Sequence, residues 1–251
     1  MTWIRIAALL LAVGTSSSLY PRTGVAQSVS PPIAEYQEKA RSSFQLQNPS
    51  IFPMTVVLDV RGFTITEAGE VLDIPLDTSR VRVKLSEMSF RIQPRGSRTV
   101  FYEASSDSLP AWFNILSAMS GAKTENGLNV RILLPHVVYL NQKQSLRKED
   151  VAIRAFELDS TLKRARVQLE NLSGNLGRVS QVTISNGHST SPPSGGFPLM
   201  PRKRRWVEME WQGSSSPIHL VARFSRFTLD TVLAPTLVSV ATDPTGGTPR
   251  P

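Results

Sequence analysis

Three histidines, His136, His188 and His219, are the only imidazoles in the chain, and so the only side chains whose ordinary proton affinity lies near neutrality. An imidazole works as a base when a nucleophile or a second titratable group stands beside it. His188 lies in a Ser-, Pro- and Gly-rich loop (187–196), and His219 alternates with Val221 and Arg223 on what reads as the outward face of a strand. No GxSxG elbow, HExxH pair, Walker loop or GxGxxG fingerprint occurs, the acids are scattered singly, and there is no cysteine. No catalytic set, metal site or cofactor site can be assembled from these residues, so the chain reads as a non-enzyme. Arg202-Lys203-Arg204-Arg205 followed by Trp206 is the densest basic run, and cations beside an aromatic can hold phosphates and stack bases. The competing and preferred reading is a charged turn entering a strand in which Val207, Met209 and Trp211 are buried, with no nucleic acid as partner. Asn171-Leu172-Ser173 has the form of a glycosylation triplet, which arises often by chance and is given no weight.

A different kind of chemistry, backbone pairing, is suggested by residues 129–142, NVRILLPHVVYLNQ. Apolar residues crowd this run, yet Pro135 interrupts it, and proline has no amide hydrogen to give to a neighbouring strand. The segment is therefore expected at a sheet edge. Period two puts either Val130, Ile132 and Leu134 or Arg131, Leu133 and Pro135 on the inward face.

The elements around it read as β throughout. Val81, Val83 and Leu85 oppose Arg80, Arg82 and Lys84; Phe44 and Leu46 precede the turn Asn48-Pro49-Ser50; Val56, Leu58 and Val60 oppose Asp59 and Arg61. Phe90 and Ile92 lead into the turn Pro94-Arg95-Gly96-Ser97, and the aromatic-rich segment 110–116 is read as a strand. The polar run 141–150 holds nothing to fill a core and reads as a linker. Beyond it the same grammar returns, through Val167 and Leu169, Val179 to Ile184, Val207 to Trp211, and Leu220 to Phe224. Two β-sandwich domains are expected, at 28–143 and 148–233, with 234–251 a disordered tail.

The chain has 251 residues, 40% hydrophobic and 19% charged, enough for two modest cores. Its first 26 residues have one early cation, Arg5, a short apolar run from Ile6 to Val13, and small residues through Ala26, the pattern of an export signal too short to span a bilayer. Their removal takes away Arg5 and Arg22 and no acid, so the net charge falls from +8 to +6. With no cysteine, stability must come from buried apolar surface without disulfides.

Several stretches then line up in one order. Phe44 to Ser50 followed by Val56 to Val60, Phe90 to Val100 around Pro94 and Gly96, Leu109-Pro110-Ala111-Trp112-Phe113, Val130 to Tyr139, Ala165 to Ser173, and Phe197-Pro198-Leu199-Met200-Pro201 together resemble the periplasmic pilus (fimbrial) chaperones of PapD type, over about residues 28 to 230. The resemblance implies two immunoglobulin-like sandwiches with a cleft between them, and a function by strand addition. The last strand of the first domain would complete a pilin-like subunit that lacks one strand, with delivery to an outer-membrane usher. Val130, Arg131, Ile132, Leu134, His136 and Val138 are the residues the resemblance places at the subunit. A free-state dimer that hides the strand is a further possibility of this kind. The family's basic anchor for the subunit's terminal carboxylate has no counterpart in Ser28 to Ala34, and His136 or a neighbour falls near its second position; Arg131 and Arg154 are candidate substitutes. A secreted structural or adhesive protein of paired sandwiches is the alternative reading, because fold alone does not fix function.

Overall fold

The computed structural model describes residues 26–123, 129–159, 161–213, 217–233 and 236–237. The expected signal and most of the expected tail lie outside the described residues. Strands carry the first half: β1 (Ser28–Ser30), β2 (Ile33–Gln37), β3 (Lys39–Asn48), β4 (Met54–Ile65), β5 (Val71–Ile74), β6 (Val81–Leu85), β7 (Ser89–Ile92), β8 (Gly96–Ser106), β9 (Ala111–Lys123) and β10 (Asn129–Asn141). They form a four-stranded sheet in the order β1-β3-β8-β6, packed on a second sheet in the order β2-β10-β9-β4-β5, with β7 also on β4. The alternation read from the sequence is what closes this sandwich. Phe44, Leu46, Met54, Val56, Leu58, Val100, Phe113 and Ile115 are buried between the sheets, while Thr55, Val57 and Asp59 point outward.

After Asn141 the chain reaches a short 3-10 turn, Lys148–Asp150, and the second sandwich. Its strands are β11 (Val151–Asp159), β12 (Arg164–Asn171), β13 (Gly177–Ser185), β14 (Phe197–Leu199), β15 (Arg204–Glu210), β16 (Ile218–Phe224), β17 (Thr228–Leu233) and β18 (Thr236–Leu237). The sheets run β15-β12-β11-β18 and β14-β13-β16-β17 around a core that includes Val167, Leu169, Val182, Ile184, Ile218 and Leu220. Val207, Met209 and Trp211 are buried in it, so the basic run is the charged entry to β15.

Two expectations are corrected. The connecting run 141–150 is not free of core residues, because Leu146 is buried in the second core. Gln142 also pins the run to the second domain, donating from Nε2 to Leu176 O at 3.1 Å and accepting from Leu176 N at 3.2 Å. Thr236 and Leu237 are not disordered tail but strand, paired in parallel with Glu157 and Leu158.

One strand in each sandwich, β3 and β12, ends in the same way. Asn48 is fully buried; its Nδ2 donates to Phe52 O (2.8 Å) and Gln93 O (3.1 Å), and its Oδ1 accepts from Ser50 N (3.2 Å) and Ser50 Oγ (2.7 Å). Asn171 repeats this, donating to Asn175 O (2.7 Å) and Leu199 O (3.1 Å) and accepting from Ser173 N and Oγ. The asparagine of the glycosylation-like triplet is thus a buried pin of a structural turn.

The domains meet through residues that face outward from the first sandwich. On β4 and β10 the alternation continues, but Phe63, Ile65 and Tyr139 on the outer face are buried against Leu176 and Met200 of the second domain. The turn between β4 and β5 reaches across as well. Trp206 N donates to Glu67 O (2.7 Å), and Gln168 Nε2 donates to Glu67 Oε2 (3.1 Å). Gly69, at φ +92°, lies so close to Arg205 that a Cβ there would sit 2.9 Å from the guanidinium. Arg205 itself stacks 4.4 Å over Phe197, and burial lowers its proton affinity. Arg178 adds an ion pair to Glu35 and lies 5.2 Å over the Tyr139 ring. A concavity of about 210 Å³ opens beside this contact, between Glu35 and Gln37 on one side and Phe224 and Phe227 on the other.

Candidate functional site

β10 has one neighbour along its whole length and a second along only part of it. β9 pairs with it along its length, from Asn129↔Lys123 to Leu140↔Ala111, with a bulge between Val130 and Arg131. On its other edge, β2 pairs in parallel only from Val137↔Ile33 to Asn141↔Gln37. Among the described residues, no strand pairs with the second edge of β10 between the bulge and His136.

The orientation of that open edge follows from alternation. Val137 N donates to Pro32 O at 2.8 Å, so the backbone of Val137 faces the β2 side. Stepping back by two puts Pro135, Leu133 and Arg131 on the same side, and His136, Leu134 and Ile132 toward β9. Pro135 therefore deprives β9 of nothing: its missing N–H falls on the edge without a partner, which is where a strand tolerates proline. The open edge offers the N–H groups of Arg131 and Leu133 and the carbonyls of Arg131, Leu133 and Pro135.

The same alternation decides between the two inward sets. Val130, Ile132 and Leu134 are half-buried, and Ile132 and Leu134 pack on the first-domain core. Arg131, Leu133 and Pro135 are exposed, Leu133 by 58%. Leu133, Pro135, Ala118, Leu116 and Val57 form an apolar outer face on three adjacent strands, since Leu133 lies opposite Ala118 and Ala118 opposite Val57.

Two of the expected site residues are not on an accessible surface. Val138 is fully buried in the core between the sheets. His136 is fully buried as well, stacked 4.6 Å from Phe44. Its Nδ1 lies 2.7 Å from Pro31 O, a group that can only accept, so Nδ1 carries the hydrogen and Nε2 accepts from Tyr102 Oη at 3.0 Å. Tyr102 Oη in turn lies 2.9 Å from Tyr36 Oη. Burial lowers the proton affinity of His136 and raises that of Tyr102. The correction has a plain cause: β2 takes over the edge one residue after His136, and the ring ties the chain entering β2 to the core. Sequence reasoning missed β2 as the neighbour, because IAEYQ is only five residues long and gives no clean alternation; its only cue was the Pro31-Pro32 break before it.

Arg131 is exposed beside the bulge. Arg154 is engaged elsewhere, with Glu170, which also receives Arg204. His188 and His219 are exposed, and among the described residues no group of three His, Asp or Glu side chains could hold a metal ion.

No family model matches the chain, and no curated protein matches it. Solved structures do. A chain of the Salmonella enterica SafA pilin complex with the SafB chaperone aligns at a TM-score of 0.51 and 10% identity, covering 83% of this chain and 96% of that one. The E. coli chaperone DraB aligns at 0.49 and 10% identity over 83% of this chain and 98% of its own. A chain of the Acinetobacter baumannii CsuC-CsuE chaperone-tip adhesion subunit complex aligns at 0.47 and 10% over 86% and 100%. At such identity the likeness is one of fold. The chain shares with the chain of the SafA–SafB complex a fold of paired immunoglobulin-like sandwiches.

Proposed function

We propose that the chain is a non-enzymatic periplasmic chaperone of pilus-type subunits, which lends the first half of β10 to a subunit that lacks one strand of its own sandwich. The observation that carries this reading is the open edge between Arg131 and His136. Strand addition requires backbone groups that no internal neighbour claims, and alternate side chains that enter successive pockets of the partner. Arg131, Leu133 and Pro135 supply the first requirement. Val130, Ile132 and Leu134, half-covered by their own core, supply the second with their uncovered halves. Arg131 is the basic group placed to meet a subunit's terminal carboxylate. The client is a pilin-like β subunit, delivered onward at the outer membrane. Unoccupied, the same edge is open to a second copy of the chain.

The test is a substitution that closes the edge without touching the core. Leu133→Pro removes an N–H that points away from β9, at an exposed position, so the sandwich should survive it. Tagged wild-type chain recovered from the periplasm of its host is expected to carry a small β subunit identifiable by mass spectrometry, and Leu133→Pro is expected to lose it at least tenfold at unchanged circular dichroism. Undiminished recovery with the variant, or no such subunit with wild type, would overturn the reading.

A further inference from the structure

The turn that follows β3 has the same construction as the turn that follows β12, yet a different fate. In the second domain the asparagine-pinned turn delivers Leu176 into the apolar contact between the domains. In the first domain the corresponding loop, 49–53, is held at least as firmly. Asn48 and Ser50 Oγ both donate to Phe52 O, at 2.8 and 2.9 Å, and Arg95 N donates to Ser50 O at 3.0 Å. Its apolar residues, Ile51 and Phe52, are 65% and 41% exposed. Large apolar side chains fixed in water on a rigid loop mark a surface that is covered in use.

The strands define where this surface lies. β4 starts beside it at Met54 and meets the second domain at Phe63 and Ile65, so the loop sits at the far end of the first sandwich. Arg91, opposite Thr55 on β7, and Arg95, in the turn at φ 56°, flank it, and neither has an ion pair among the described residues. Residues 39–58 and 88–102, which supply the loop and its neighbours, contain no acid.

An apolar tip ringed by unpaired cations suits an interface between hydrocarbon and anionic headgroups: the tip enters the acyl boundary while the guanidinium groups meet phosphates. A specific protein partner asks for a wider complementary patch than two apolar and two basic side chains provide. We infer that the far end of the first sandwich is a docking surface for an anionic lipid bilayer, entered by Ile51 and Phe52 and steered by Arg91 and Arg95. This surface goes beyond strand lending and does not depend on it.

The experiment is sedimentation of the chain from Gln27 onward, which contains both cores, with vesicles of phosphatidylcholine alone or mixed with phosphatidylglycerol. Binding is expected to the mixed vesicles at low salt, to weaken as salt screens the charges, and to be absent with phosphatidylcholine alone. Ile51→Ser with Phe52→Ser should weaken it more than tenfold, and Arg91→Gln and Arg95→Gln about fivefold each. Arg202→Gln with Lys203→Gln, elsewhere on the surface, and Leu133→Pro should bind as wild type. No binding to mixed vesicles overturns the inference, as does binding that the loop variants retain or that the Arg202 and Lys203 pair abolishes. Loss of an outer-membrane protein partner in the loop variants, without any vesicle binding, would assign the surface to protein and equally overturn it.

Discussion

Asn48 and Asn171 hold equivalent turns by satisfying several buried backbone groups with one amide each. Alanine at either position leaves those carbonyls unpaired inside the protein, so each substitution is expected to cost about 2–4 kcal/mol, read as a lowered urea midpoint. The sequence showed both turns, as Asn-x-Ser after an alternating run, but not the burial of their asparagines, because an exposed Asx turn is spelled the same way. His136 was legible only as a titratable residue near the edge. Its burial depends on Phe44, Tyr102 and Pro31, distant in sequence and brought together by the sheet order. Because burial lowers its folded proton affinity, the unfolded chain binds the proton first. Stability is therefore unaffected above about pH 6.5, falls as the pH drops below that ordinary value, and levels off once the folded ring is also protonated. Protonation would also turn Nε2 into a donor and oblige Tyr102 to redirect its hydroxyl. A difference in urea midpoint between pH 7 and pH 5 that is larger for wild type than for His136→Gln is the expected signature.

At the scale of elements, period-two alternation identified most strands correctly, 81–85 among them, since each buries one face against the opposite sheet, and aromatic enrichment identified 110–116. Alternation alone could not say which face of β10 turns inward, because Val130, Ile132, Leu134 and the set beginning at Arg131 are both largely apolar. Burial settles it: Ile132 and Leu134 pack on the first core while Arg131, Leu133 and Pro135 are exposed. Ile132→Asp, which would place a carboxylate against the first core as well as at the open edge, is expected to lower stability by about 1–3 kcal/mol in addition to any loss of partner; Leu133→Pro separates the two effects. The connecting run misled for a different reason. One leucine among charged residues gives no periodic signal, yet Leu146 fills the second core against Gly177, where a Cβ would come within 2.4 Å of it. Leu146→Ala should destabilise the second domain by about 2–3 kcal/mol, measurable by denaturant titration.

Across the whole molecule, the two sandwiches are joined by an apolar contact, a bridging turn and a cation over a ring rather than by a loose tether. None of this was readable beforehand: Phe63, Ile65 and Tyr139 belong to the outward register of their strands, and only the presence of a second body explains their apolar character. Tyr139 sits in this contact under Arg178. Tyr139→Ala is expected to uncouple the domains, so that a single calorimetric transition in the wild type becomes two; one unchanged transition would mean that the turn at Glu67 and the Gln142 clasp suffice. The half of β10 that touches the second domain is also the half that β2 occupies, and its other half begins at Asn129. The berth between these limits spans eight residues, Asn129 to His136, or ~26 Å of extended backbone. Its length acts as a gauge: a visiting segment longer than this must either stop short at Pro32 or peel β2 away, so the fold itself meters how much of another chain it can hold.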